Sequence, residues 1–353
     1  MRFAVAGIAA VTLLLVGCAT REVAPVTPQT ADPTKPQQIL DAYDFDGEAQ
    51  LSGGHLGARI WRSETVPEGA IWPWASVSKQ VTAVMIMQAV ERGELSLDDE
   101  VTDYFNPRYQ GGHPLTVRDL LRHRTDYRNP DDSPEARGGG PVAYYGNGLA
   151  EPCLNNRTGV LPDGWAYNNC DYMVLGGLLG VLEGGDGSRE NAITRFEKMI
   201  AGPAGLENTR WLRMAYVDEV HAIEMPYSQT LLGYGAAGSF AGPLSDMMRF
   251  DRALLDGKLL SDESLATLWD GKSELGYMAL GQWVFDAPLR GCEMPVRIVE
   301  RRGGIGKYQT RNIILPDLDV AVALATTDGA FEFGEIWTGE GFMHDFLSAI
   351  ACP

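Results

Sequence analysis

From Ala75 to Ala89 the chain reads "ASVSKQVTAVMIMQA", with apolar side chains at Val77, Val81, Val84 and Met85 on the i, i+4, i+7, i+8 spacing that predicts a helix. Ile86 and Met87 widen that apolar surface, so the helix packs on more than one side. "LTVRDLLRHRTDY" predicts a short helix with Thr116 as its N-cap, and residues 128–164, with the run Gly138-Gly139-Gly140, read as loop. Helices are expected from about Asn169 to Leu182, from about Arg189 to Ile200 and over "LSDMMRFDRALLDGK". The last hundred residues then read differently. "LGQWVFDA", "PVRIVERRG", "QTRNIILP" and "VAVALATT" read as strands before a closing helix near Glu340–Ile350. Two more strands, around "EAQLSGG" and "HLGARIW", flank a Gly-Gly turn ahead of the first helix.

Strands at both ends of the chain enclose a block of helices. The late connections are too short for crossovers, so the sheet is expected to be antiparallel and assembled from both ends. The fold class that follows is α/β in the broad sense (α+β). An antiparallel sheet is flanked by helices, and a second, all-helical lobe covers about residues 106–255 of a body spanning 41–353.

Composition narrows the setting. The 353 residues carry a net charge of −18 with no basic cluster, so nucleic acid and anionic lipid headgroups are excluded as partners of the globule. Residues 1–17, "MRFAVAGIAAVTLLLVG", hold one charge and an apolar run too short to span a bilayer, which reads as a cleaved signal. Leu15-Val16-Gly17-Cys18 looks like a bacterial lipobox, which would make Cys18 the acylated first residue of the mature protein. Residue 19 is Ala rather than Asp, which by resemblance to sorted lipoproteins favours the outer membrane. Residues 18–40 then form a Pro-rich tether, so membrane contact is expected through the lipid anchor alone, on the periplasmic side of the envelope.

In an exported protein the other four cysteines, Cys153, Cys170, Cys292 and Cys352, fit two disulfides, with three connectivities open. Cys153 with Cys170 is the expected pair, 17 residues apart around a loop, and Cys292 with Cys352 would tie the last helix to a strand. No Cys-x-x-Cys spacing and no His pair at helical spacing occurs, so no metal site is expected.

Ser76 and Lys79 stand one turn apart at the head of the first long helix, which puts the amine within reach of the hydroxyl. A serine needs a base, and a lysine becomes one when burial or positive potential lowers its pKa. The helix start also aims backbone N–H groups at a developing oxyanion. Ser-x-x-Lys arises about once by chance in a chain of this length, so it decides little alone. Tyr167-Asn168-Asn169, 91 residues after Ser76 in "GWAYNNCDYMVLGGLLG", adds a phenol able to carry protons and an amide able to hold the lysine. Tyr145-Gly146-Asn147 offers a competing Tyr-x-Asn without a following helix and ranks second.

"ASVSKQVTAVMIMQAVERGELSLDDEVTDYF", "LTVRDLLRHRTDY", "YNNCDYMVLGGLLGVLEG", "AGPAGLENT" and "GYGAAGSFAGPLSDMMRF" together resemble successive blocks of the serine β-lactamase-like family. The likeness is nearest to class C β-lactamases, D-alanyl-D-alanine carboxypeptidases and related esterases, and covers nearly all of the body. It implies a β-lactamase/transpeptidase-like fold, Ser76 as nucleophile, Lys79 and Tyr167 as its proton network, Asn169 as orienting amide, and no cofactor. The substrate class implied is a small-molecule or peptide acyl donor: a D-alanyl peptide, a β-lactam or an ester. Where the family carries Lys-Thr-Gly or His-x-Gly, this chain has Arg301-Arg302-Gly303, followed by Gly304 as the expected second oxyanion donor. Strand alternation sends only one of the arginines into the cleft, Arg301, where a guanidinium would clamp a substrate carboxylate but not shuttle a proton. The usual His-Thr-Ser-Gly turn has become His123-Arg124-Thr125-Asp126. The arginine keeps open a non-catalytic or slowly turning over acyl-binding sensor as the alternative. Oligomeric state is not readable.

Overall fold

The computed structural model describes residues 35–106, 109, 112–137, 140–145, 148–213 and 228–352. Cys18, the signal segment and most of the Pro-rich stretch lie outside them, as do Gly146 and Asn147 of the second-ranked Tyr-x-Asn.

The strands are β1 (Gly47–Gly53), β2 (Arg59–Arg62), β3 (Trp72–Pro73), β4 (Arg210–Trp211), β5 (Phe240–Gly242), β6 (Trp283–Ala287), β7 (Val296–Ile305), β8 (Tyr308–Leu315) and β9 (Val320–Thr326). Six form one sheet in the order β2-β1-β9-β8-β7-β6, with every neighbouring pair antiparallel. The chain's first strand pairs with its last, so the sheet is assembled from both ends, as expected. A small second sheet, β3-β5-β4, is too short to leave a period in the sequence.

Both faces of the main sheet are covered. Val299, Ile314, Ala321 and Ala323 join the core shared with the long helices, while Ile298, Ile313, Val322 and Leu324 face the terminal helix Phe342–Ala351. A helix at Lys35–Ala42 packs on that terminal helix through Leu40, and Tyr43 donates to Asp345 at 2.8 Å. Among the described residues, packed structure thus already precedes the boundary expected at 41, because Leu40 finds an apolar partner more than 300 residues away that no local pattern announces. Helix Leu244–Leu255 lies on β1 and β9, so it belongs with the sheet and not with a helical lobe running to 255.

Helix Ser78–Glu91 is buried at every residue from Ser78 to Ala89, and Thr116 caps Val117–Leu121 in a reciprocal box with Asp119. The helix expected over Arg189–Ile200 is regular only to Phe196 and widens into a π turn at Glu197–Ala201. Pro203 follows and has no N–H to give to Met199, whose carbonyl accepts instead from Gln88 Nε2 at 3.0 Å. Of the three connectivities open to four cysteines, the structure holds Cys153–Cys170 and Cys292–Cys352, with Cα atoms 5.4 and 5.3 Å apart.

Candidate active site

Ser76 sits in a 3-10 turn, Ala75–Val77, that feeds directly into helix Ser78–Glu91. Ala75 has φ of 45°, a left-handed conformation that disfavours a side chain, so the backbone is strained beside the serine. Neighbouring strands hold that turn. Trp74 N–H donates to Phe240 O at 2.9 Å, Phe240 N–H to Ser78 Oγ at 3.2 Å, and Thr310 Oγ1 to Pro73 O at 2.9 Å. Strand β7 passes against the turn at Gly303, where a Cβ would lie 2.3 Å from Trp74 O and 3.3 Å from Ser76 N. Any larger residue would push the strand off the serine. Gly304, next along β7, is exposed, and a Cβ there would meet only Tyr308 O, at 4.0 Å.

Tyr167, Asn168 and Asn169 arrive from the helical side. Asn168 caps helix Asn169–Gly184 by accepting from Cys170 N–H at 2.9 Å. Asn129 clamps the segment, donating to Tyr167 O at 3.3 Å and accepting from Asn169 N–H at 3.3 Å.

These elements bring four side chains into one cluster. Ser76 Oγ and Tyr167 Oη are 2.5 Å apart, and Lys79 Nζ lies 3.1 Å from Ser76 Oγ and 2.7 Å from Tyr167 Oη. Lys79 Nζ also donates to Asn169 Oδ1 and to Ala237 O, each at 2.7 Å. Those last two oxygens can only accept. A neutral amine has two N–H bonds and one lone pair, so with both N–H groups given to Asn169 and Ala237 the lone pair is left facing the two hydroxyls. Lys79 is fully buried, and burial, reinforced by the positive charge of Arg301, holds its pKa well below lysine's ordinary value. Burial pushes the Tyr167 phenol up, while Arg301 and its hydrogen bond with Ser76 pull it down. A proton can therefore pass among Oγ, Nζ and Oη without leaving the cluster.

Around this centre lie groups that sequence reasoning missed. Asn169 Nδ2 donates to Tyr144 Oη at 2.8 Å and to Asp131 at 3.1 Å, and Tyr144 itself donates to Asp131 at 2.5 Å. Tyr144 is the neighbour of the second-ranked Tyr145, which is exposed. Ala237 falls in the block "GYGAAGSF", but a backbone carbonyl leaves no residue-type signal. His123 has φ of 56° and sits beside Tyr167 with ring centroids 5.0 Å apart. Its Nδ1 accepts from Asn168 N–H at 3.3 Å and lies 2.7 Å from Asp171, whose pKa burial raises well above a carboxylate's. Burial likewise holds the His123 imidazole well below its ordinary value, so both shifts favour a neutral pair.

The arginines behave differently from each other, as β-alternation requires. Arg301 points toward the serine, with Nε donating to Ser76 O at 3.1 Å and its guanidinium carbon 5.5 Å from the Tyr167 ring and 5.1 Å from the Trp283 ring. Its side chain is completely buried, and both terminal nitrogens lack an acceptor. Arg301 was expected to enter the cleft and clamp a substrate carboxylate; its guanidinium does lie beside the serine, buried against the two rings. Arg302 lies on the opposite face, bound through two nitrogens each to Glu300 and Glu335.

The Beta-lactamase family model matches residues 46–338. The chain belongs to that family. It is accordingly a serine hydrolase. It is 24% identical over 310 residues to the D-alanyl-D-alanine-carboxypeptidase/endopeptidase AmpH of Escherichia coli (strain K12), covering 76% of each chain. It is 25% identical over 211 residues to the putative penicillin-binding protein PbpX of Bacillus subtilis (strain 168), a match over 57% of this chain that spans only about half, 51%, of that relative. In fold it resembles the D-amino acid amidase of Ochrobactrum anthropi SV3 solved with D-phenylalanine, at a TM-score of 0.71 and 18% identity over 90% of this chain and 98% of that one.

Proposed function

We infer that this hydrolase of the Beta-lactamase family works through an acyl-enzyme on Ser76. One observation carries the reading. Lys79 Nζ, buried and held well below lysine's ordinary pKa, lies between two acceptors, Asn169 Oδ1 and Ala237 O, and two hydroxyls, Ser76 and Tyr167, so its neutral amine turns the lone pair toward the hydroxyls. Ser76 Oγ attacks the acyl carbon and its proton passes to the Lys79–Tyr167 pair. Collapse of the tetrahedral intermediate breaks the bond to the leaving amine or alkoxide, which takes that proton from Tyr167. Water then adds to the ester with the same pair as base, releasing the acid and restoring the serine. The Ser76 and Gly304 N–H groups are assigned to the oxyanion, since β7 is pressed onto the serine turn at Gly303. Substrates are a D-alanyl peptide, a β-lactam or a carboxylic ester, the first supported by the names of the relatives. The same proposal anchors the protein by lipid at Cys18 on the periplasmic side of the envelope, on the strength of the N-terminal sequence.

The test incubates the full-length protein with a chromogenic ester, a chromogenic cephalosporin and a peptide ending in D-Ala-D-Ala, followed by turnover assay and intact mass. Turnover that vanishes in Ser76→Ala supports the hydrolase. A lasting adduct without turnover supports the acyl-binding sensor instead, and no adduct from any donor overturns both.

A further inference from the structure

Tyr167 hands its proton to the leaving group, so whatever surrounds Tyr167 on the side away from Asn169 surrounds the leaving group. That side is built from aromatic faces and from one covered charge. Arg301 lies between the rings of Tyr167 and Trp283, and Trp165 meets Trp283 edge to face at 6.1 Å. Trp337, half exposed, packs instead against Arg302 and Phe285 on the other face of the strand. A terminal carboxylate on the leaving group requires a cation it can touch. Arg301 is sealed, with its Nε committed to Ser76 O. Arg302 is neutralised by two carboxylates, Glu300 and Glu335, which leave no charge for a third. The chain's charge of −18 adds a repulsive field for any anion approaching.

We propose that the site takes acyl donors whose leaving group is uncharged, an amine or alcohol without a carboxylate, and that the aromatic wall of Trp165 and Trp283 receives it. This rests on the acyl-enzyme reading and narrows the substrates named there, placing esters and amides ahead of the free-acid D-alanyl peptide and the β-lactam. Arg301 is then a positioning residue, a fixed charge behind the proton pair, and not a substrate clamp. Acylation forms the Ser76 Oγ–acyl bond, breaks the acyl–nitrogen bond and moves the serine proton onto the departing neutral amine. Deacylation consumes one water.

The experiment compares two peptides that differ in one group, one ending in D-Ala-D-Ala as the free acid and the other in D-Ala-D-Ala-amide. Release of D-alanine or D-alaninamide by the full-length protein is followed by mass spectrometry. The amide is expected to have kcat/KM at least tenfold higher. A second arm uses Trp283→Ala, which uncovers the Arg301 guanidinium and should narrow that ratio by raising kcat/KM of the free acid. Equal rates, or preference for the free acid in the wild-type protein, overturn the inference, since Arg301 must then reach a carboxylate from beneath its cover. Failure of the acyl-enzyme reading is a separate outcome: neither peptide, nor a chromogenic ester, leaves an adduct that Ser76→Ala removes.

Discussion

Lys79 and Arg301 are both cationic residues buried completely within the same site, yet their surroundings differ in kind. Every direction around Lys79 Nζ holds a partner, two acceptors and two hydroxyls at 2.7 to 3.1 Å. Arg301 has an acceptor for Nε and none for its other two nitrogens, which meet aromatic faces instead. A lysine can answer burial by losing its proton; an arginine cannot, because its pKa lies too high. The first region is therefore built to move a proton and the second to hold a charge still. Cation–π contact, worth about 2 kcal/mol when desolvated, offsets part of the missing hydrogen bonds.

The sharpest way to break this contrast is to remove the base. Lys79→Ala should lower kcat/KM by roughly 10⁴- to 10⁶-fold, about as much as Ser76→Ala, because groups that act as one unit are strongly non-additive. If Lys79→Ala keeps a tenth of the wild-type rate, the amine is not the base.

Arg301→Met is next in size. The positive neighbour holds the Lys79 pKa down, so its loss lets the ammonium form more readily and raises that pKa. Activity requires the neutral amine, so the acid limb of the kcat/KM profile should move to higher pH. On that limb the loss at a fixed pH should be about tenfold. Arg301→Lys keeps the charge and should return the limb toward its wild-type position. A merely structural arginine would lower the profile at every pH without moving it.

The same contrast explains what the sequence could tell. The clustering of Ser76, Lys79, Tyr167 and Asn169 was legible because the proposed acyl transfer asks for those residue types, and five ordered blocks placed them on a known framework. The antiparallel sheet was legible because both its faces are buried and its strands follow one another closely. Arg301 was legible as to face but not as to access. Its cover comes from Trp283 on the neighbouring strand and Tyr167 from the helical side, and neither is local to it. Asp131 and Tyr144 were missed for a related reason: they touch Asn169 from a stretch without period, where nothing but the folded chain sets proximity. Helix Lys35–Ala42 was missed because its partner lies at the other end of the chain.

Each region also has its own disulfide, and their removal should separate the two. Cys170 directly follows Asn169, whereas Cys292 lies four residues before β7 and is joined to the residue after the terminal helix. Breaking the Cys153–Cys170 bridge with a pair of alanines should cost roughly 3 kcal/mol of stability by the loop-entropy account and lower kcat several-fold, because Asn169 holds Lys79. The equivalent change at Cys292 and Cys352 should lower Tm by a similar or larger amount and leave kcat within a factor of two. Equal losses of kcat from both would show that neither bridge is specific to the site.

The smallest expected effect is the one that runs against Arg301. Asp131 is exposed, but its carboxylate bonds to Asn169 and Tyr144 and its negative charge raises the pKa of Lys79. Asp131→Asn removes the charge while keeping one oxygen to accept from Tyr144. The ammonium of Lys79 is then stabilised less, its pKa falls further, and the acid limb should move to lower pH, opposite to Arg301→Met. Because Asp131 faces solvent, the shift should be about a few-fold in rate on the limb at low salt and should fade at 0.5 M salt, roughly where the screening length becomes comparable to the separation. The rate on the plateau should stay near wild type. Were the plateau to fall at all salt concentrations, the carboxylate would be acting through its grip on the Asn169 amide, and the electrostatic pairing of Asp131 against Arg301 across the lysine would not stand.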